Sequence, residues 1–192
     1  MDIKTLYSIG HSNDSFEKFV KRLKIHHIQA IADVRSQPYS RYASWFNREN
    51  ISISLKKNDI AYVFLGDKVG ARCTDPYCIV DGQVDFTKVA QRKEFQSGIA
   101  RIRHGLSKFN IALMCSEKDP MTCHRTILIA REFVKYNIDI QHIFPDNNIQ
   151  YHSKLMQRIA YENNYHNDLF MSEEDKVNQS YKLQAGKMGY IA

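Results

Sequence analysis

No apolar run in this chain approaches the ~20 residues a helix needs to cross a bilayer, so membrane insertion is not expected. The opening Met1-Asp2-Ile3-Lys4-Thr5 has neither the basic nor the apolar region of a secretory signal. Together these absences predict a soluble, cytoplasmic protein with no membrane partner, in which thiols are reduced by default. Proline is scarce too, with four among 192 residues; beside a hydrophobic fraction of 43% this argues against disorder over most of the length. Internal repeats, low-complexity tracts and blocks of five or six like charges are all missing. Nothing in the sequence speaks to an oligomeric state.

What is present is a mildly basic chain of one-domain size. The formal charge of +6 makes an anionic partner plausible, because positive potential concentrates anions, whether nucleic acid, nucleotide or small phosphate compound. The length suffices for one domain with a substantial core. Apolar runs at Leu6 to Gly10, Ile28 to Val34, Ala61 to Leu65, Asn110 to Cys115 and Ile138 to Phe144 read as strands. Between them lie helical patterns after the Asn13-Asp14-Ser15 cap, over 47–58, over 86–106 with a weak point at Gly98, and over 120–136. A last helix is expected over 150–161. Strands separated by helices of this length need crossover connections, which predicts an α/β fold: a single three-layer domain with a mainly parallel sheet of about five strands flanked by helices. The domain is expected over residues 1–166, followed by a polar segment, 167–192, as a docked helix or a tail.

The densest chemistry lies in residues 112–125, Ala-Leu-Met-Cys-Ser-Glu-Lys-Asp-Pro-Met-Thr-Cys-His-Arg. Two thiols, a carboxylate, an imidazole and a guanidinium fall at a strand-to-helix turn. In a parallel sheet such turns gather at the carboxyl edge, where ligands bind. The same edge is expected to collect His11 after the first strand, Asp33, Arg35 and Arg41 after the second, and Arg72 after the third. Asp119 and Pro120 suit the cap and first position of a helix, which puts Cys123 about one turn inside it.

A thiol near a helix N-terminus or an arginine has its thiolate stabilised. Cys115 is therefore read as nucleophile or redox thiol, with Cys123 assisting and His124 and Glu117 handling protons. Packing roles remain open for both thiols. Arg35, Arg41, Arg72 and Arg125 suit bidentate recognition of phosphate or carboxylate, or else a solvated, ion-paired surface. His11 follows Gly10 in a turn where amide groups are available to an anion. Asp33 is read either as a catalytic carboxylate or as the holder of Arg35 or Arg41. Tyr39, Tyr42, Trp45 and Phe46 sit among Arg41 and Arg48, a pattern that fits stacking on bases as well as loop packing.

Two classes of site fit less well. Structural zinc prefers C-x2–4-C pairs, whereas the spacings here are C-x4-C (Cys73, Cys78) and C-x7-C-H. Neighbours on a helix point about 100° apart, so Cys123 and His124 are not expected to share an ion, and no metal or cofactor is assigned. A phosphatase-type loop wants arginine six residues after the cysteine. Position 121 is Met, and Arg125 comes ten residues after Cys115.

Four segments appear in order: Tyr7-Ser8-Ile9-Gly10-His11-Ser12-Asn13, Asp33-Val34-Arg35-Ser36-Gln37-Pro38-Tyr39-Ser40-Arg41, Leu65 to Arg72, and Leu113-Met114-Cys115-Ser116-Glu117 through Cys123-His124-Arg125. In combination they resemble the DUF488 family of uncharacterised bacterial and archaeal proteins, over about residues 4–146. The resemblance implies a compact α/β domain with a shared site built from these segments, and no particular reaction. Gly66-Asp67-Lys68-Val69-Gly70 stands where the family usually has a tighter Leu-Gly-Gly type run. Cys73 and Cys78 fall outside the shared segments and are read as incidental thiols.

Three functions are compatible with these residues. The first is an enzyme with a cysteine-centred site acting on an anionic, phosphate-bearing substrate. The second is a binding module that holds nucleic acid or a nucleotide without chemistry. The third, least supported, is a metal site using Cys115 and Cys123 with His11 or His124.

Overall fold

The computed structural model describes residues 4–165 and 170–188. In chain order they form β1 (Thr5–Gly10), α1 (Phe16–Ile25), β2 (Ala30–Asp33), α2 (Arg48–Lys56), β3 (Ala61–Phe64) and α3 (Gly66–Val69). Next come β4 (Ile79–Val80), β5 (Gln83–Val84), α4 (Phe86–Gln91), α5 (Lys93–Gly105) and β6 (Ile111–Cys115). The chain continues through a wide π-type turn, Arg125–Ala130, into α6 (Arg131–Val134), then β7 (Asp139–Ile143), β8 (Ile149–Tyr151), α7 (His152–Glu162) and α8 (Glu173–Met188).

Six strands make the main sheet, in the order β3-β2-β6-β1-β7-β8, and all neighbours are parallel except β7 and β8. β6 sits mid-sheet and is wholly buried. Its side chains alternate, as a strand's must. Ala112 and Met114 join Ile9, Phe19, Leu23, Phe46 and Leu55 on the face covered by α1 and α2. Ile111, Leu113 and Cys115 join Phe95, Ile99, Ile127, Phe133 and Ile159 on the opposite face. Two helical layers thus enclose a mainly parallel sheet, as the strand and helix pattern predicts.

The sheet is one strand larger than expected. The segment from Gln150, read as helix, starts as β8, which folds back antiparallel on β7 through a turn at Asn147 (φ 68°). The break in the long helix falls at Arg92, which is extended (ψ 141°), and not at Gly98. Gly98 lies inside α5, where a Cβ would collide with the Val69 side chain; its role is the close approach of α3. The Asp81-Gly82 turn closes the small β4–β5 hairpin. α8 packs on α7, with Ser180, Tyr181 and Gln184 buried and the Gln184 amide donating to the Met121 carbonyl at 2.9 Å. The expected boundary at residues 166 and 167 lies outside the described residues. Among those described, no helix is long and apolar enough to cross a membrane.

Candidate active site

The carboxyl edge of the parallel sheet carries the ionisable groups. Asp33 ends β2 and is fully buried. One of its oxygens accepts from the Arg35 amide (3.2 Å) and Nε (2.9 Å); the other accepts from Arg35 Nη2 (2.6 Å) and the Tyr62 hydroxyl (2.7 Å). Arg35 also donates to the Phe46 carbonyl at 2.9 Å, and its Nη1 donates to His11 Nε2 at 3.1 Å. The acceptor role of Nε2 puts the His11 proton on Nδ1, which donates to the Ser12 carbonyl at 2.7 Å. Burial, with the Arg35 charge beside it, lowers the His11 pKa to about 4. His11 stacks on Phe46, and its amide and that of Ser12 donate to the Cys115 and Ser116 carbonyls. Those amides extend the sheet and are not free for an anion. Asp33, Arg35 and His11 thus form one continuous buried chain.

Glycines set the loop after β3 against this frame. A Cβ on Gly66 would collide with the Arg35 carbonyl, and one on Gly70 with the Ser36 hydroxyl. Without those clashes, Gly66 to Val69 forms the single turn α3, and the Arg72 amide donates to Ser36 Oγ at 3.0 Å. Gly10 plays the same part on the other side, where a Cβ would strike the Glu117 carbonyl.

Below lies the thiol cluster. The segment after β6 is not the continuous helix expected over 120–136. Asp119 caps one 3₁₀ turn, Pro120–Thr122, and Cys123 is then extended (φ −128°, ψ 139°) before the chain turns helical at His124. The extended residue rotates Cys123 back beside its neighbour, which removes the angular objection to the two sharing a ligand. Nδ1 of His124 lies 3.7 Å from Cys115 Sγ and 3.8 Å from Cys123 Sγ, while Nε2 donates to the Val34 carbonyl at 3.0 Å. The three donor atoms lie within 4.8 Å of one another; among the described residues this is the only such group of His, Cys, Asp or Glu. Cys123 Sγ also lies 3.1 Å from Glu117 Oε2. Arg125, fully buried, donates to the Glu117 carbonyl at 2.9 Å.

The charges of these groups are interlocked. Burial works against either thiolate; for Cys123 it is outweighed by the Cys115 thiol and by Arg125 and His124, which hold its pKa well below the ordinary thiol value. Burial and the negative Cys123 push Cys115 well up. Burial and Cys123 raise the Glu117 carboxyl as well. The His124 imidazole is raised because Cys123 and Glu117 overcome its burial. These shifts favour negative charge on Cys123 over Cys115.

A polar pocket of about 200 Å³ opens above the cluster, lined by Arg35, Ser36, Gln37, Tyr39, Ala71, Arg72, Cys115, Ser116, Glu117 and His124. Of the residues expected from sequence, Cys115, Glu117, His124, Arg35 and Arg72 meet there. Cys123 lies beneath it, bonded to the others. Asp33 and His11 stand behind Arg35, and Arg125 behind Glu117. Arg41 is exposed and does not line the pocket. Tyr39, read from sequence as a stacking or loop-packing aromatic, lines the pocket with Ser36 and Gln37, which carry no role in the sequence reading although they belong to the same segment as Asp33 and Arg35; Gln37 accepts from Arg72 Nη1 at 2.7 Å. Cys73 and Cys78 share the buried core with Cys115 and Cys123 but belong neither to the close donor group nor to the pocket lining; burial and the Cys73 thiol push Cys78 up to about 12.

A family model described as a domain of unknown function, DUF488, matches residues 15–131, more than half of the chain. The span takes in Asp33 to Arg125, and with it every pocket-lining residue. No curated protein and no solved structure matches the chain.

Proposed function

The chain belongs to the DUF488 family, and we propose that it is an enzyme acting on an anionic, phosphate-bearing substrate such as a nucleotide or a nucleic-acid component. The observation that carries this reading is the position of the Cys115–Cys123–His124 cluster directly under a pocket walled by Arg35 and Arg72. Guanidinium groups bind phosphate oxygens through paired N–H donors. Arg72 is exposed, and among the described residues its guanidinium is held only by Gln37, so it can exchange that bond for a ligand oxygen. Arg35 is fixed by Asp33 and brings a rigid charge to the wall. The cluster supplies the reactive group, and Glu117, whose carboxyl binds protons more tightly than usual, serves proton transfer. A binder needs the arginines but not two buried thiols, an imidazole and a carboxyl under them, since buried polar groups are costly to keep. The four free thiols fit a reducing, cytoplasmic setting.

Turnover of a panel of phosphate-bearing compounds tests this. In the Cys115→Ser, Cys123→Ser and His124→Gln variants the rate is expected to fall by about 100-fold or more, the range of a lost nucleophile or proton-transfer group. Cys73→Ser should leave it unchanged. Equal rates in all four variants would rule the cluster out as the reacting centre.

One observation favours a second reading, the binding of single-stranded nucleic acid without chemistry. Tyr42 is 90% exposed and Tyr39 59%, next to Arg41, as in surfaces where bases stack on aromatic rings. That reading predicts log affinity falling linearly with log salt concentration. Affinity that does not change with salt would remove it.

A further inference from the structure

We infer that Cys115, Cys123 and His124 form a three-ligand site for a thiophilic divalent cation, zinc, with the fourth coordination position opening into the arginine-walled pocket. The inference deepens the reading of this cluster as the reactive floor of the pocket and rests on it.

Three features of the geometry lead there. The first is spacing. A tetrahedral zinc with Zn–S about 2.3 Å and Zn–N about 2.0–2.1 Å has sulfur-to-nitrogen edges of about 3.5–3.6 Å. The two sulfur-to-nitrogen edges here are 3.7 and 3.8 Å and all three donors lie within 4.8 Å of one another, so the donor set can close on an ion with modest shifts. These separations are also long for hydrogen bonds, so the donors surround a point more than they pair with each other.

The second feature is the imidazole tautomer. Nε2 of His124 donates to the Val34 carbonyl at 3.0 Å, which leaves the Nδ1 lone pair aimed at the two sulfurs. Metal-bound histidines are held in this way, the second nitrogen tied to a carbonyl or carboxylate that fixes ring and tautomer. The third feature is charge. Two thiolates cancel a divalent ion, and the remaining Glu117 carboxylate and the buried Arg125 guanidinium are opposite in sign. The cluster is thus electrically balanced with the ion in place.

Glu117 Oε2 lies 3.1 Å from Cys123 Sγ but falls outside the set of mutually close donor atoms. It stands beside the site, leaving three protein ligands. Three ligands and one open position are the arrangement of catalytic zinc, whereas structural zinc is closed by four. Cys115, His124 and Glu117 all line the pocket, so a water or a substrate oxygen completes the coordination from that side, next to a carboxylate able to take its proton.

The test uses the full chain, purified without chelator from zinc-supplemented cells, with bound metal measured by mass spectrometry. About one zinc per chain is expected. After zinc removal under reducing conditions, titration with cobalt(II) should give a thiolate-to-cobalt charge-transfer band at one equivalent. Cys115→Ser, Cys123→Ser and His124→Gln should each weaken binding by about 10-fold or more, while Cys73→Ser and Cys78→Ser keep it. Because a ligand variant can misfold, alkylation of the wild-type protein provides a second readout. Zinc should protect Cys115 and Cys123 from iodoacetamide, and its removal should expose them. Zinc far below one per chain together with no cobalt–thiolate band would overturn the site. Phosphate titration separates this result from the fate of the pocket. Metal-free protein that never takes zinc or cobalt yet binds phosphate through Arg72 overturns the zinc site alone. Zinc-loaded protein that ignores phosphate upholds the site and overturns the pocket reading.

Discussion

Asp33→Ala is expected to lower the unfolding free energy by about 3–5 kcal/mol, the cost of stranding a buried charge. Both Asp33 oxygens are engaged, by three Arg35 donors and by the Tyr62 hydroxyl, and neither Asp33 nor Arg35 is more than 4% exposed. Removing the carboxylate leaves a desolvated guanidinium whose remaining partners are His11 and the Phe46 carbonyl. Urea unfolding followed by circular dichroism measures the loss. A paired replacement, Asp33→Leu with Arg35→Met, should recover much of the stability, since apolar groups of similar volume often replace a buried ion pair at little cost. It should not recover phosphate binding, because the rigid charge in the pocket wall is gone. A loss below about 1 kcal/mol for Asp33→Ala, the level of an exposed pair, would mean that Arg35 finds solvent and that the frame behind the pocket is looser than described.

The second large effect lies on the other side of the sheet and depends on pH. Ser8 Oγ, His142, His152 and the Tyr181 hydroxyl form a buried line, with contacts of 2.7, 3.0 and 2.6 Å. It ties β1 to α8 through β7 and α7. Burial lowers the His152 pKa to about 4; burial, with His152 and Arg125 nearby, lowers His142 well below its ordinary value. Each depressed imidazole is neutral when folded and takes a proton more readily when unfolded. Its contribution is therefore complete above about pH 6.5, the unfolded value, and is lost as pH falls toward 4. For His152 alone the difference amounts to about 3 kcal/mol, and His142 adds to it with the same sign. Unfolding free energies measured from pH 7 to pH 4 should show this slope, and His152→Gln should flatten it relative to wild type. Parallel profiles for the two proteins would show that His152 is not held neutral by the fold.

The sequence reveals the site more clearly than it reveals the site's shape. Strand runs ending in Gly10, Asp33, Leu65 and Cys115 place charged loops on one edge, because a parallel sheet leaves no other arrangement. The meeting of Arg35, Arg72, Cys115, Glu117 and His124 follows from that alone. What sequence does not reveal is where Cys123 points. Asp119-Pro120 is a sound helix start, but it opens a single 3₁₀ turn, and one extended residue then changes which side chains Cys123 faces. Arg125 reads as a guanidinium for an anion or a solvated ion pair and is fully buried, because its partners are backbone carbonyls that carry no residue-specific signal. Three-residue β8 is shorter than any periodicity can register. The line from Ser8 to Tyr181 joins residues far apart in the chain, so no local pattern announces it.

In the proposed function the Arg72 side of the pocket takes an anion over the thiol cluster. Calorimetric titration of the full chain with inorganic phosphate and with nucleoside monophosphates tests it most directly, run in parallel on Arg72→Ala. Saturable binding at one site per chain is expected, weakened about tenfold or more by Arg72→Ala, the loss of a charge-assisted contact, with the circular dichroism spectrum unchanged. No saturable binding to any of these anions, or binding of equal strength in Arg72→Ala, would contradict it.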